Sequence, residues 1–461
     1  MKNLLITLIF ILPLMLSAQK EKGAINSDML KDMHNKYKNS NSKGIENAIR
    51  HTSLKKMAKS RYTNGSSDTY FSNRVKSNGV TNQESSGRCW LFTGLNVLRP
   101  IVMENKGIKG FKFSQSYLFF YDQLEKSNLF LEGIIDTKNK PIDDKRVEWL
   151  IKNPIGDGGQ WTGLVDLVSK YGAVPADVMP ESYQANNTSQ MSKLLRLKLR
   201  EDALIIRKMA ADSKSNSEIK EAKASMLNDI YRILALSLGE PTQEFEWRYK
   251  DADDNITELK KYTPKSFYEE FVGVDLNDYV MFMNDPSRPF NALYEIDYDR
   301  HTLDGHNWKY INLDANKIKE FAKASILDNK AMYFSCDVGK QLDSKKGYLD
   351  MANFDYGSLL GVEFNMDKVQ RIKTFASGSS HGMTLVAVDV NKDGEITKWL
   401  LENSWGQTGY QGHLIMSDEW FNEYMFRLVI NKKYIDKETL NMLKSESTML
   451  PPWDPMFSQE L

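Results

Sequence analysis

The chain is poor in three things, and each scarcity narrows what it can do. It has 2 cysteines and 6 histidines among 461 residues, and its formal net charge is +0. A zinc site has little to build on, because His301 and His306 share a polar loop with no cysteine and no second pair nearby. Binding that depends on neutralising phosphates gets no support from the charge balance, so nucleic acid is not an expected partner, although a local basic groove stays open. The third scarcity is long apolar runs. Leu4 to Leu16 is apolar but too short for a comfortable membrane span, and Lys2 precedes it while Ser17 and Ala18 follow. This is the pattern of a secretory signal peptide over 1–18, cut near Ala18, with an uncleaved anchor as the alternative. No cysteine follows the run, which excludes lipidation there. An exported protein, periplasmic or secreted, is expected, with no stable span after cleavage.

What is present suits a large enzyme. The chain is 41% hydrophobic, enough for a substantial core, and its length allows two or three domain-sized pieces. Residues 19–70 are rich in Lys, Asn and Ser and are expected to form a polar arm with some helical potential around 45–59. The body is expected over 71–461. Within it, Ile219, Ala222, Met226, Leu227, Ile230, Tyr231, Leu234, Ala235 and Leu238 form an apolar stripe at helical spacing, which marks 183–239 as a helical insertion packed on the core or on another subunit. Strands are expected at Ala292–Asp297, Lys309–Leu313, Ala331–Cys336, Thr384–Val390, Trp399–Asn403 and Gly412–Met416. Most alternate apolar and polar residues, as in an antiparallel sheet with one buried face. Asp389–Gly394, DVNKDG, resembles the start of a calcium loop, but Leu400 stands where the bidentate Glu is needed, so a turn between two strands is expected.

The chemistry concentrates at NQESSGRCW, from Asn82 to Trp90. A helical run follows Cys89 at once, through Leu91, Phe92, Leu95, Leu98 and Val102, and Pro100 is expected to end or kink it. A thiol at a helix N-terminus meets unpaired N–H groups and the positive end of the dipole, which lower its pKa and favour the nucleophilic thiolate. Gln83 carries an amide that can donate to an oxyanion. The plain alternative is a buried structural cysteine before a core helix.

A thiolate needs a base, and the base needs an orienting group. His381 lies in SSHGMTLVAVDV, before an apolar strand, and Asn403 follows in ENSWG. The Asn carbonyl can accept from one imidazole nitrogen while the other faces sulfur, and Trp405 can shield that bond. A Cys89–Cys336 disulfide would remove the nucleophile, and Cys336 is read instead as a strand residue. His34, His51 and His413 have no partners in sequence.

These words in this order resemble the papain-like cysteine peptidases, and more narrowly the bleomycin hydrolase and aminopeptidase C branch. Further matching words are FSQSYLFFYDQLEK (Phe113 to Lys126), GDGGQWTGLVDLVSKYGAVPADVMPES (Gly156 to Ser182), CDVGK, MSDEWFNEY and LPPWDPM. Ser86 and Arg88 depart from the papain signature, Gly382 stands where the branch has Ala, and FSQEL replaces a small-residue ending. The resemblance implies an α+β, papain-like two-lobe fold: a helical lobe with the cysteine, an antiparallel-sheet lobe with the histidine and asparagine, and the active site in the cleft between them. It implies a cysteine-type aminopeptidase acting on short peptides without metal or organic cofactor, with catalytic Cys89, His381, Asn403 and Gln83. It also implies a homohexamer and a tail, 445–461, reaching the active site so that the carboxylate of Leu461 binds the substrate's amine. The alternatives are an open-cleft endopeptidase and a catalytically silent peptide- or nucleic-acid-binding shell.

Overall fold

The structure is a computed structural model that describes residues 23–40, 42–61, 68–77 and 79–457. The expected signal peptide and Leu461 lie outside these residues. The chain divides into two compact units, one formed by the N-terminal residues to Lys59 with Asp355–Val362, the other by Ser60–Phe354 with Glu363–Leu461.

The first unit is built of short helices, Ser27–Lys38, Lys43–His51 and Leu54–Ala58. Asn26 caps the first by accepting from the N–H groups of Asp28 and Met29 at 3.1 and 3.0 Å. The Asp355 N–H donates to the Ala58 carbonyl at 2.8 Å, which joins the two stretches of this unit.

In the second unit the N-terminal half is helical. Helix Cys89–Lys106 is buried along most of its length, from Trp90 to Val102. Of the two outcomes expected at Pro100, an end or a kink, the end does not occur, and the helix runs on to Lys106. The proline removes one helical hydrogen bond at a cost of about 3 kcal/mol, and burial of Leu95, Leu98 and Val102 on the core outweighs that cost. The helix stops instead at Gly107, whose φ of 60° suits a left-handed cap. Helix Gln115–Asp136 starts at Ser114, whose hydroxyl accepts from the Tyr117 N–H, and Trp161–Tyr171 is closed by Gly172 as expected. The stretch from residue 183 forms two long helices, Ser189–Ala211 and Asn216–Leu238. The second begins with a Ser215/Glu218 capping box and buries Ile219, Met226, Ile230, Leu234 and Leu238 of the predicted stripe, while Ala222, Leu227, Tyr231 and Ala235 along its edge are half-buried.

The C-terminal half is a large, mostly antiparallel sheet. Its central strand, His381–Val390, pairs with Met332–Cys336 on one side and Ile396–Glu402 on the other. Met425–Asn431 and Tyr279–Met283 extend the sheet beyond the first neighbour, and His413–Ser417 beyond the second. The predicted strands are present with boundaries shifted by a few residues, and Asn391–Gly394 is the expected turn. One expectation fails: this sheet is not half-exposed. His381 through Val388 are all buried, with Leu385 and Val388 in one apolar cluster and Val386 and Ala387 in another. A strand covered on both faces reads as a continuous apolar run.

Candidate active site

Cys89 is the first residue of its helix and is partly exposed. The side chain before it is held hard in place. Arg88 is fully buried, its Nη2 pairs with Glu181 Oε2 at 2.7 Å, and its Nε donates to Ser86 Oγ at 3.0 Å. Its guanidinium lies over the rings of Phe92 and Phe119 at 5.2 and 5.3 Å. Glu181 also accepts from the Ser116 N–H and hydroxyl at 3.1 and 3.0 Å. The two positions that depart from the papain signature, Ser86 and Arg88, are therefore one hydrogen-bonded unit locking the turn that presents Cys89.

His381 opens the central strand. Its Nε2 lies 2.8 Å from Asn403 Oδ1, and since that oxygen can only accept, Nε2 carries the proton and Nδ1 keeps its lone pair. Trp405 stacks on the imidazole with ring centroids 4.8 Å apart and 27° between planes. Burial pushes His381 down to about 4, against the upward pull of the Asn403 bond, so the ring is neutral at pH 7. Gly382 shows how close the two halves come. A Cβ there would meet Thr93 Oγ1 at 3.2 Å, Tyr333 Oη at 3.3 Å and Trp90 Cα at 3.6 Å. The start of the histidine strand thus presses on the first turn of the cysteine helix, where a methyl group would fit only if the Thr93 and Tyr333 hydroxyls shifted slightly.

Gln83 is tied to both halves. Its Nε2 donates to Ser86 O at 2.6 Å, its Oε1 accepts from Ser404 Oγ at 2.6 Å, and its backbone N–H donates to Ser404 O at 2.8 Å. Asn82 bridges to Trp405 beside it. Gln83, Cys89, His381 and Asn403 are thereby gathered at one seam, with one of the two amide hydrogens of Gln83 committed to Ser86. Leu461 is not among the described residues.

Cys336 faces His381 in the strand register and is fully buried, and burial raises its thiol well above the ordinary range. No disulfide joins Cys89 to Cys336. His301 and His306 bond separate carboxylates, Nδ1 to Asp122 Oδ1 at 2.6 Å and Nδ1 to Asp166 Oδ1 at 2.8 Å. Among the described residues no helix is long and apolar enough to cross a membrane.

Two contributors escaped the sequence. Ser404, a plain serine in ENSWG, orients Gln83. Asp157, within the glycine turn GDGGQW, accepts from the Gly87 N–H at 3.2 Å and Ser192 Oγ at 2.7 Å, also binds the Thr188 hydroxyl, and through its carbonyl holds Trp90 Nε1 at 2.8 Å. An aspartate flanked by glycines was its only signal.

A helix-borne cysteine set against a sheet-borne histidine–asparagine pair defines the fold as papain-like. The Peptidase C1-like family profile matches residues 24–457. The chain is 41% identical to bleomycin hydrolase of Mus musculus over 388 residues, covering 82% of this chain and 85% of that one. It is 38% identical to aminopeptidase C of Listeria monocytogenes over 394 residues, covering 85% and 88%. Among solved structures, PepW from Lactobacillus rhamnosis superposes with a TM-score of 0.91 at 35% identity, covering 94% of this chain and 99% of that chain. The chain belongs to the Peptidase C1-like family and is a cysteine-type aminopeptidase of the bleomycin hydrolase and aminopeptidase C kind.

Proposed function

We propose that the protein removes N-terminal residues from short peptides through Cys89, His381, Asn403 and Gln83. The observation that carries this is the His381–Asn403 bond under Trp405, on a strand pressed against the first turn of the Cys89 helix. His381 Nδ1 takes the thiol proton and the sulfur attacks the first peptide carbonyl. The tetrahedral oxygen is held by the Cys89 N–H and the Gln83 amide, and His381 returns the proton to the departing amine. Water, deprotonated by the same imidazole, then releases the acyl group. Asn403 fixes the ring through both steps.

Selection for a free amine needs an anion at the end of the cleft, and the carboxylate of Leu461 is the candidate. In support, the tail is firmly seated up to Phe457: Met456 and Phe457 are buried, and Asp454 pairs with Arg288 at 2.6 Å. Export behind the 1–18 segment and a hexameric assembly belong to the same proposal. The test is hydrolysis of free-amine aminoacyl fluorogenic amides beside their N-acetylated versions, with Cys89→Ala as control. Turnover of the free amines alone, lost in the variant, is expected. Equal turnover of blocked substrates would make the protein an endopeptidase, and activity surviving Cys89→Ala would dismiss the nucleophile.

A further inference from the structure

Next to the candidate site lies a cavity of about 480 Å³ whose wall is strongly basic. It is lined by Gly156, Gly158 and Gly159, the residues flanking Asp157, which bonds Gly87 and Trp90 on either side of the Cys89 turn. A Cβ on Gly87 would come within 2.7 Å of Asp157 Cβ, so the glycine turn and the cysteine loop are in direct contact. The cavity and the cysteine loop therefore share the Asp157 turn as a common wall.

Six lysines and arginines line the cavity, with a single carboxylate, Asp299, among the lining residues. Two of the cations are already neutralised, Lys126 by Asp122 at 2.9 Å and Lys152 by Glu148 at 2.5 Å. The other four, Lys193, Arg196, Arg200 and Arg300, have no ion pair among the described residues. Backbone carbonyls position two of them: Arg196 Nε donates to Ile155 O at 2.8 Å, and Arg200 Nε and Nη2 to Ile151 O and Lys152 O at 2.9 and 3.1 Å. Those bonds go to neutral oxygens and leave each guanidinium charge without a carboxylate among the described residues. Among the described residues the buried Arg300 Nε has no hydrogen-bond partner, and its guanidinium rests on the Tyr298 ring at 5.7 Å. Four like charges around one cavity repel, and a chain with no net charge has carboxylates to spare elsewhere. A bound anion would relieve that repulsion and complete the bonding of Arg300. The planar forks of Arg196, Arg200 and Arg300 suit a carboxylate.

We infer that this cavity is a carboxylate-binding subsite that takes the acidic side chain of a peptide held with its scissile bond at Cys89. The inference rests on the peptidase proposal for the seam and adds the substrate class. The chemistry has a second source in the chain itself, since Phe457 lines the cavity and Glu460 follows three residues later.

The test compares free-amine tetrapeptide pairs that differ only as Glu against Gln, at the first, second or third residue. At one position Glu should raise kcat/KM about tenfold, and the preference should shrink as salt is raised. Lys193→Glu, at an exposed side chain, and Arg196→Glu should each cut that preference while Gln peptides turn over as before. If Arg196→Glu misfolds, Lys193→Glu and Arg300→Gln carry the test. A preference that emerges only in Glu460→Gln protein assigns the pocket to the chain's own acidic side chain. Equal turnover of Glu and Gln peptides in both the native and Glu460→Gln proteins overturns the inference and leaves the aminopeptidase standing. If no free-amine peptide is cleaved, the peptidase proposal fails instead, and tighter binding of Glu than Gln peptides to Cys89→Ala protein, or its absence, still decides the subsite.

Discussion

Removing the Glu402 carboxylate should loosen the protein and misplace Asn403 together. Arg99, on the Cys89 helix, reaches both carboxylate oxygens of Glu402 at 2.7 and 2.6 Å, and the two side chains are only 1% and 2% exposed. Glu402 immediately precedes Asn403, so this pair fastens the cysteine helix to the strand end that carries the asparagine. Breaking a buried pair by deleting one partner costs about 3–5 kcal/mol. Glu402→Ala should fall near the lower end, because Arg99 keeps three neutral acceptors: Asn96 Oδ1 and Ser77 Oγ, both at 2.9 Å, and Gly79 O at 3.4 Å. The intact pair, in contrast, adds little of its own. Burial lifts the Glu402 carboxyl above its ordinary value despite the downward pull of Arg99, so desolvation outweighs attraction. Arg99→Met with Glu402→Leu should therefore stay within about 1 kcal/mol of the native protein. Because the folded carboxyl holds its proton more tightly than the unfolded one, the native protein gains on the double variant as pH falls. Urea unfolding followed by tryptophan fluorescence checks the stabilities, and kcat should drop more than KM changes in Glu402→Ala. A loss below about 1 kcal/mol in Glu402→Ala, or a double variant as damaged as the single one, would refute the reasoning.

Three further outcomes follow from the seam. Gln83→Ala should lower kcat by about 10²–10³ with little change in KM, as for loss of an oxyanion donor, and a loss smaller than about threefold would remove Gln83 from that role. Trp405→Ala uncovers His381, whose low pKa comes from burial, so the acid limb of kcat/KM should move from about 4 toward 6.5. The sign is fixed by the neutral ring being the proton acceptor. For the same reason, stability supplied by the buried neutral imidazole is complete above pH 6.5 and is lost as pH falls toward 4, and unfolding measured across that window reads it directly.

The candidate site was legible because its residues are chemically distinctive and sit in short, fixed words. Cys89 before a helical run, His381 before an apolar strand and Asn403 beside Trp405 each pointed to a proposed role through type and context. The failures share a different cause. Pro100 is a local signal, and the packing of Leu95, Leu98 and Val102 overrides it from a distance. The double burial of His381–Val388 depends on what covers the second face, which no strand states in its own sequence. The strands Tyr279–Met283 and Met425–Asn431 went unread because a short apolar run does not distinguish a buried strand from a buried helix. Arg99 and Glu402 are ordinary charged residues whose partnership exists only after the halves meet.

The bond from Gln83 N–H to Ser404 O joins residues 321 positions apart, and His381 finds Asn403 only after the central strands have paired. Contacts this distant form late, since loop closure must precede any gain from them. A chain emerging from the ribosome thus displays Cys89 long before it owns a base. Incomplete or truncated polypeptides should be chemically inert toward peptide bonds, which spares the translation machinery and unfolded neighbours from a half-made protease.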